Sequence, residues 1–182
     1  MLARIRSAAV LGIDAYPVDV EVDISSGLPS FSTVGLPHGA VREGRERVSA
    51  ALANVGYVFP LKRITVNLAP ADIRKNGSGL DLPIAVGLLA ASGQLEHHGL
   101  DALLIVGEVG LEGDLRPVRG ALSMALAARA AGCQEMLVPT TTCPRPRSSR
   151  VSRSGVPGPW PTCALISPAN GRSPPHGPMW AG

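Results

Sequence analysis

Val18-Asp19-Val20-Glu21-Val22-Asp23-Ile24 alternates apolar and acidic side chains at every step. A period of two puts the β-branched residues on one face of an extended chain and the carboxylates on the other. The stretch therefore reads as a strand with one buried and one wet face. Upstream, Arg4 to Ile13 reads as a second strand, and Asp14-Ala-Tyr-Pro17 as the link that closes a hairpin. Downstream, Gly27-Leu-Pro29 introduces a short third strand over Ser30 to Leu36. From residue 38 the period changes to that of a helix. Val41, Val48, Ala51, Leu52 and Val55 share one face, while Arg42, Glu43, Arg45, Glu46 and Arg47 fill the rest. Arg42–Glu46 and Glu43–Arg47 have the spacing of helical ion pairs. Pro37 suits the entry of this helix over 38–55 and Gly56 its exit. Gly44 inside it is expected to cost about 1 kcal/mol relative to alanine.

The same reading continues outward. Ile64 to Leu68 is a strand, Leu82 to Ser92 a nearly all-apolar buried helix with Pro83 in its first turn, and Leu103 to Val106 a buried strand. Gly120 to Ala131 is an Ala-rich helix and Glu135 to Val138 a closing strand. Strands and helices alternate after an opening strand cluster, which predicts an α/β (α+β) domain over residues 1–140, with helices packed on a mixed sheet.

Residues 141–182 differ. Positions 143–182 hold nine of the 17 prolines, five arginines and no acidic residue. Such a stretch favours no regular structure. It reads either as a disordered Pro/Arg/Ser-rich tail or as a frame-shifted segment, since every acidic residue stops at Glu135. The net charge of +3 belongs to this tail, because residues 1–142 carry 12 basic against 14 acidic side chains. A basic total is therefore no argument that the folded part binds nucleic acid. The apolar runs are too short to span a membrane and the start leads into no signal-peptide core. With three cysteines, an odd number, the expectation is a cytoplasmic protein without a disulfide framework.

Candidate chemistry concentrates in the polar loop between Asn67 and Pro83, which contains Asp72, Arg74, Lys75, Gly77, Ser78, Gly79 and Asp81. Two glycines with Lys and Arg suggest a backbone cradle for an anion, against the plainer reading of a flexible turn. A phosphate-binding loop requires Gly, four residues, then Gly-Lys-Ser/Thr, and here Lys75 precedes the glycines, so no ATPase activity is expected. Asp72 and Asp81 are candidates for paired carboxylates, but Asp81 also suits the cap of the helix that follows. His97-His98 lacks a third ligand at metal-binding spacing, and no metal is expected.

Four stretches carry a family resemblance: Gly12 to Pro29, Val34-Gly-Leu-Pro37, Asn67 to Pro83, and Gly107 to Gly120. Together they resemble the N-terminal domain of the Mg-chelatase-like AAA+ proteins of the ComM (YifB) type. The resemblance implies a ribosomal protein S5 domain 2-like fold, shared with the Lon protease domain. It also implies that full-length members continue into an ATP- and Mg-dependent AAA+ module and act as hexameric DNA branch-migration helicases in natural transformation. That module is absent here, so no cofactor is expected for this chain. His38 and Gly44 stand where the family usually has an acidic residue and a serine. Kinship with Lon raises a Ser–Lys peptidase as an alternative, but aligning Leu82-Pro-Ile-Ala85 and Pro117-Val-Arg-Gly120 with its motifs puts Asp81 and Leu122 at the catalytic positions. Neither side chain can serve, and Ser78 and Lys75 are not a substitute, so no catalytic residue is expected.

Two functional expectations follow. One is a DNA-contacting accessory domain, with Lys62, Arg63, Arg74 and Lys75 as a basic rim around one strand. The other is a scaffold for self-association, with the Arg/Glu face at 42–47 as a contact.

Overall fold

The computed structural model describes residues 1–96, 99–133, 135–142, 151–152 and 163–166. A long hairpin forms its centre: β1 (Leu2–Leu11) and β2 (Asp14–Ser25) pair antiparallel from Leu2↔Asp23 to Leu11↔Asp14. The turn is Gly12-Ile13, with Gly12 in the left-handed region at φ 65. The predicted link at Asp14–Pro17 is thus part of β2. A two-residue turn led by a glycine matches the twist of the paired strands better than a longer one.

β3 (Ser30–Val34) and α1 (Ala40–Asn54) lead to β4 (Arg63–Ala69), which runs parallel to β3 and antiparallel to β2. Then follow α2 (Asp81–Ala91), β5 (Leu103–Ile105), a small hairpin of β6 (Glu108–Val109) and β7 (Leu115–Arg116), α3 (Ala121–Ala130) and β8 (Glu135–Pro139). The main sheet has the order β3-β4-β2-β1-β5-β8, mixed in direction, and the predicted mixed α/β architecture holds.

Two short strands extend it: β9 (Val151–Ser152) and β10 (Cys163–Ile166), with β10 antiparallel to β8. Regular structure there departs from the expectation of an irregular tail. Cys163-Ala-Leu-Ile166 is an apolar run without proline, so its backbone is free to pair with the open edge of β8. The rest of residues 143–182 lies outside the described residues.

The alternation read from the sequence sets the layers. Val18, Val20, Val22 and Ile24 of β2, with Ile64, Val66 and Leu68 of β4, point into one core with α1 and α2. Ala8 of β1, Leu104 of β5 and Met136 and Val138 of β8 point to the other side, onto Met124 and Ala128 of α3. All eleven residues of α2 are buried, because it lies between the sheet and α1. α1 begins at Ala40 with Gly39 as its cap position, after Pro37, whose backbone instead bridges to Lys75.

Candidate functional site

The polar loop folds against the start of α2 by backbone bonds. The Gly107 N–H donates to Gly79 O at 2.9 Å, and Leu82 N–H donates back to Gly107 O at 2.9 Å. This clamp sets the loop, α2 and the β6–β7 hairpin in one place. A Cβ at Gly107 would sit 2.9 Å from Leu82 Cδ2, so the approach is as close as a glycine permits.

Into this junction α1 sends Arg47. Its guanidinium donates from Nε to Asp81 Oδ2 at 2.7 Å and from a terminal nitrogen to Asp81 Oδ1 at 3.0 Å and Ala40 O at 2.6 Å. The fork-to-carboxylate geometry is bidentate, the strongest form of this pair. Asp81 is 1% exposed. Its burial pushes the carboxyl pKa up, while Arg47 and the Val109 amide pull it down. Arg47 is held more firmly protonated by the same hydrogen bond. Beside it, Ser78 Oγ donates to Glu108, and Glu108 lies 3.7 Å from Arg116, which also reaches Asp114 at 3.2 Å. Arg47 and Glu43 are 3.8 Å apart, as their spacing predicts.

The structure separates several residues that the sequence grouped. Asp81 is the first residue of α2; the cap position is Leu80, and no side chain caps the helix. The expectation that Asp81 caps α2 is therefore corrected, because its carboxylate is turned onto Arg47. Asp72 is exposed and Asp81 buried, so they form no carboxylate pair. Lys75 is 0% exposed, and its Nζ has no hydrogen-bond partner among the described residues. Burial lowers its pKa, with Asp72 opposing. Lys62 and Arg63 are exposed at one end of β4 and Arg74 is exposed beyond the other. The rim of four cations is thus not a single surface: a seven-residue strand, about 20 Å long, separates the pairs, and Lys75 faces inward. Gly77 adopts φ 88, and Gly79 packs near Val118. Leu122 is 77% exposed on α3 and does not meet Asp81. His97 and His98 lie outside the described residues. Among the described residues no cluster of His, Cys, Asp or Glu could hold a metal ion.

Glu108 and Arg116 were not singled out by sequence reasoning, and Arg47 was read only as a partner of Glu43 on the 42–47 face, not as the partner of Asp81. The available signal was Gly44, a glycine within the buried stripe of α1. A Cβ there would lie 2.7 Å from Asp81 Oδ1. A glycine at such a position marks a close approach, here of the ion pair to the helix backbone.

A separate surface cavity of about 520 Å³ lies along β1, lined by Arg4, Arg6, Asp19, Asp101, Leu104 and Cys133 among others. Its two arginines face two aspartates, so it offers no field of one sign. Arg4 is further engaged by Glu21 at 2.7 Å, and that carboxyl is lowered by its bonds to Asn67 and Arg4.

The molecule is thus a mixed α/β domain whose most polar junction is closed by internal ion pairs. Residues 20–142 match the family model for subunit ChlI of Mg-chelatase, and the chain belongs to that family. It is similar to the YifB proteins of Salmonella typhimurium, 53% identical over 131 residues, and Escherichia coli, 51% identical over 131 residues. It is also similar to the competence protein ComM of Haemophilus influenzae, 48% identical over 128 residues. The alignments cover 72%, 72% and 70% of this chain, but only 26%, 26% and 25% of the three relatives. The chain therefore spans about a quarter of the length of the curated relatives it matches.

Proposed function

We propose that this domain is a non-catalytic assembly module of a ComM/YifB-like protein, one that holds domains or subunits in register and needs no cofactor of its own. The observation that carries this reading is the closure of the polar junction. Asp81 is spent on Arg47, Ser78 on Glu108, and the buried Lys75 Nζ bonds to neither among the described residues. Ser78 meets a carboxylate that is already paired with Arg116, and not the lysine amine that a Ser–Lys mechanism needs. The S5 domain 2-like identity of the fold belongs to the same reading and is supported by the mixed sheet with helices on both faces. No helix among the described residues is long and apolar enough to cross a membrane, and a cytoplasmic setting is part of the proposal. A role in competence is part of this reading and draws on the printed name of ComM.

A second reading, direct DNA contact, is favoured by the exposure of Lys62 and Arg63. Retention of the 182-residue chain on immobilised DNA at low salt separates the two. The assembly reading expects no retention above a neutral control. Retention that falls steeply with salt and disappears in Lys62→Ala/Arg63→Ala would replace it with DNA contact.

A further inference from the structure

The outer side of α3 is apolar where a solvated helix should be polar. α3 buries only Met124 and Ala128, and Leu122 and Leu126, one turn apart, are 77% and 61% exposed. The tip of the central hairpin adds Leu11 and Ile13, at 59% and 88% exposure. The two elements are joined: Ser123 Oγ donates to Ile13 O at 2.7 Å, and Gly120 packs onto Val10. A lone exposed leucine needs no explanation, but four large apolar side chains on adjoining elements mark a contact surface.

We infer that this surface seats the polypeptide that follows the domain in the longer members of the family. Two observations choose that occupant. The family match stops at residue 142, and Thr142 Oγ accepts from Val118 N–H at 3.2 Å, just before α3. A chain continuing from that position starts beside the patch, in proteins of which this domain is about a quarter. The charge at its margin is mostly positive: Arg119 just before α3 and Arg129 in its last turn are exposed and α3 carries no acidic residue, against the single exposed Asp14 at the hairpin tip. The fitting partner is an apolar ridge flanked by carboxylates, which complementary charge would orient. A second copy of this chain fits less well, because an antiparallel pair of α3 helices would bring arginines together.

This inference rests on the assembly reading and assigns it a place. The test uses the 182-residue chain and, as a separate polypeptide with its own cooperative thermal transition, the part of Salmonella YifB that this chain does not match. Binding is followed by calorimetry for wild type, Leu122→Glu/Leu126→Glu, and Leu61→Glu as an exposed apolar control. All substituted leucines are at least 61% exposed, and circular dichroism checks that the fold is kept. The expected result is saturable binding that weakens at least about tenfold in the double variant and is unchanged in the control. Equal binding by the double variant overturns this surface and leaves the assembly reading standing. No binding by wild type overturns both. Concentration-dependent dimerisation of wild type that the double variant abolishes assigns the patch to a second copy and likewise overturns the inference.

Discussion

Asp81 and Lys75 are both buried ionisable residues, and their surroundings oppose each other. Asp81 has a bidentate partner in Arg47, which is itself 19% exposed. Removing one member leaves the other desolvated and unpaired, which is more costly than removing both. Asp81→Ala is expected to destabilise the fold by about 3 kcal/mol, whereas Arg47→Met/Asp81→Leu should cost far less. Urea unfolding of both variants checks this, and equal losses would deny the coupling. Lys75 has no such partner. Its pKa is lowered from 10.5 by burial, so the folded protein binds this proton less readily than the unfolded chain. Stability from this group is complete above 10.5 and is lost as pH falls through the folded value. Lys75→Met keeps the apolar stem and removes the ammonium, so it is expected to raise stability at pH 7 by about 1 kcal/mol or more. It should also flatten the rise of stability as pH climbs towards 10.5; parallel pH curves for variant and wild type would contradict the buried ammonium.

On α1, intrinsic propensity and packing give opposite signs. By propensity alone Gly44→Ala should stabilise the helix by about 1 kcal/mol. The structure reverses that expectation, because the added methyl would lie 2.7 Å from Asp81 Oδ1 and displace the ion pair. The expected outcome is a net loss of about 1–3 kcal/mol, read from the urea midpoint. Gain of stability would mean that the pair shifts without penalty. The elements themselves were legible wherever a period ran long enough. β2 from Val18 onward and β4 bury every second residue, and α1 buries Val41, Val48, Ala51 and Leu52 on the predicted stripe. The two-residue strands β6 and β7 were not, since a period cannot show itself over so few positions. The candidate site was legible only in part for a related reason. Ser78 and Asp81 stood out in the loop, but Arg47 is 34 residues from Asp81 and looked like one more charge on a solvated face. Sequence spacing carries no information about a partner brought in by the packing of another helix.

At the scale of the molecule, the two cores share the sheet, and among the described residues they run from Ile5 to Val138. β10 adds backbone pairing to β8 from Cys163↔Pro139 to Ile166↔Met136, at the edge of the sheet. Its role is therefore to cover an edge, since an uncovered strand offers unpaired N–H and C=O groups to other chains. These two contributions separate in a chain ending at Thr142. Because the core residues from Ile5 to Val138 all remain, that chain is expected to unfold cooperatively with a melting temperature within about 5 °C of the 182-residue protein. Because β8 then becomes the free edge, it is expected to self-associate more as its concentration rises. Circular dichroism melts and size-exclusion chromatography over a concentration series measure the two effects independently. A large fall in melting temperature would show that residues after 142 contribute to the core, and unchanged elution would show that β8 is protected by its own short length.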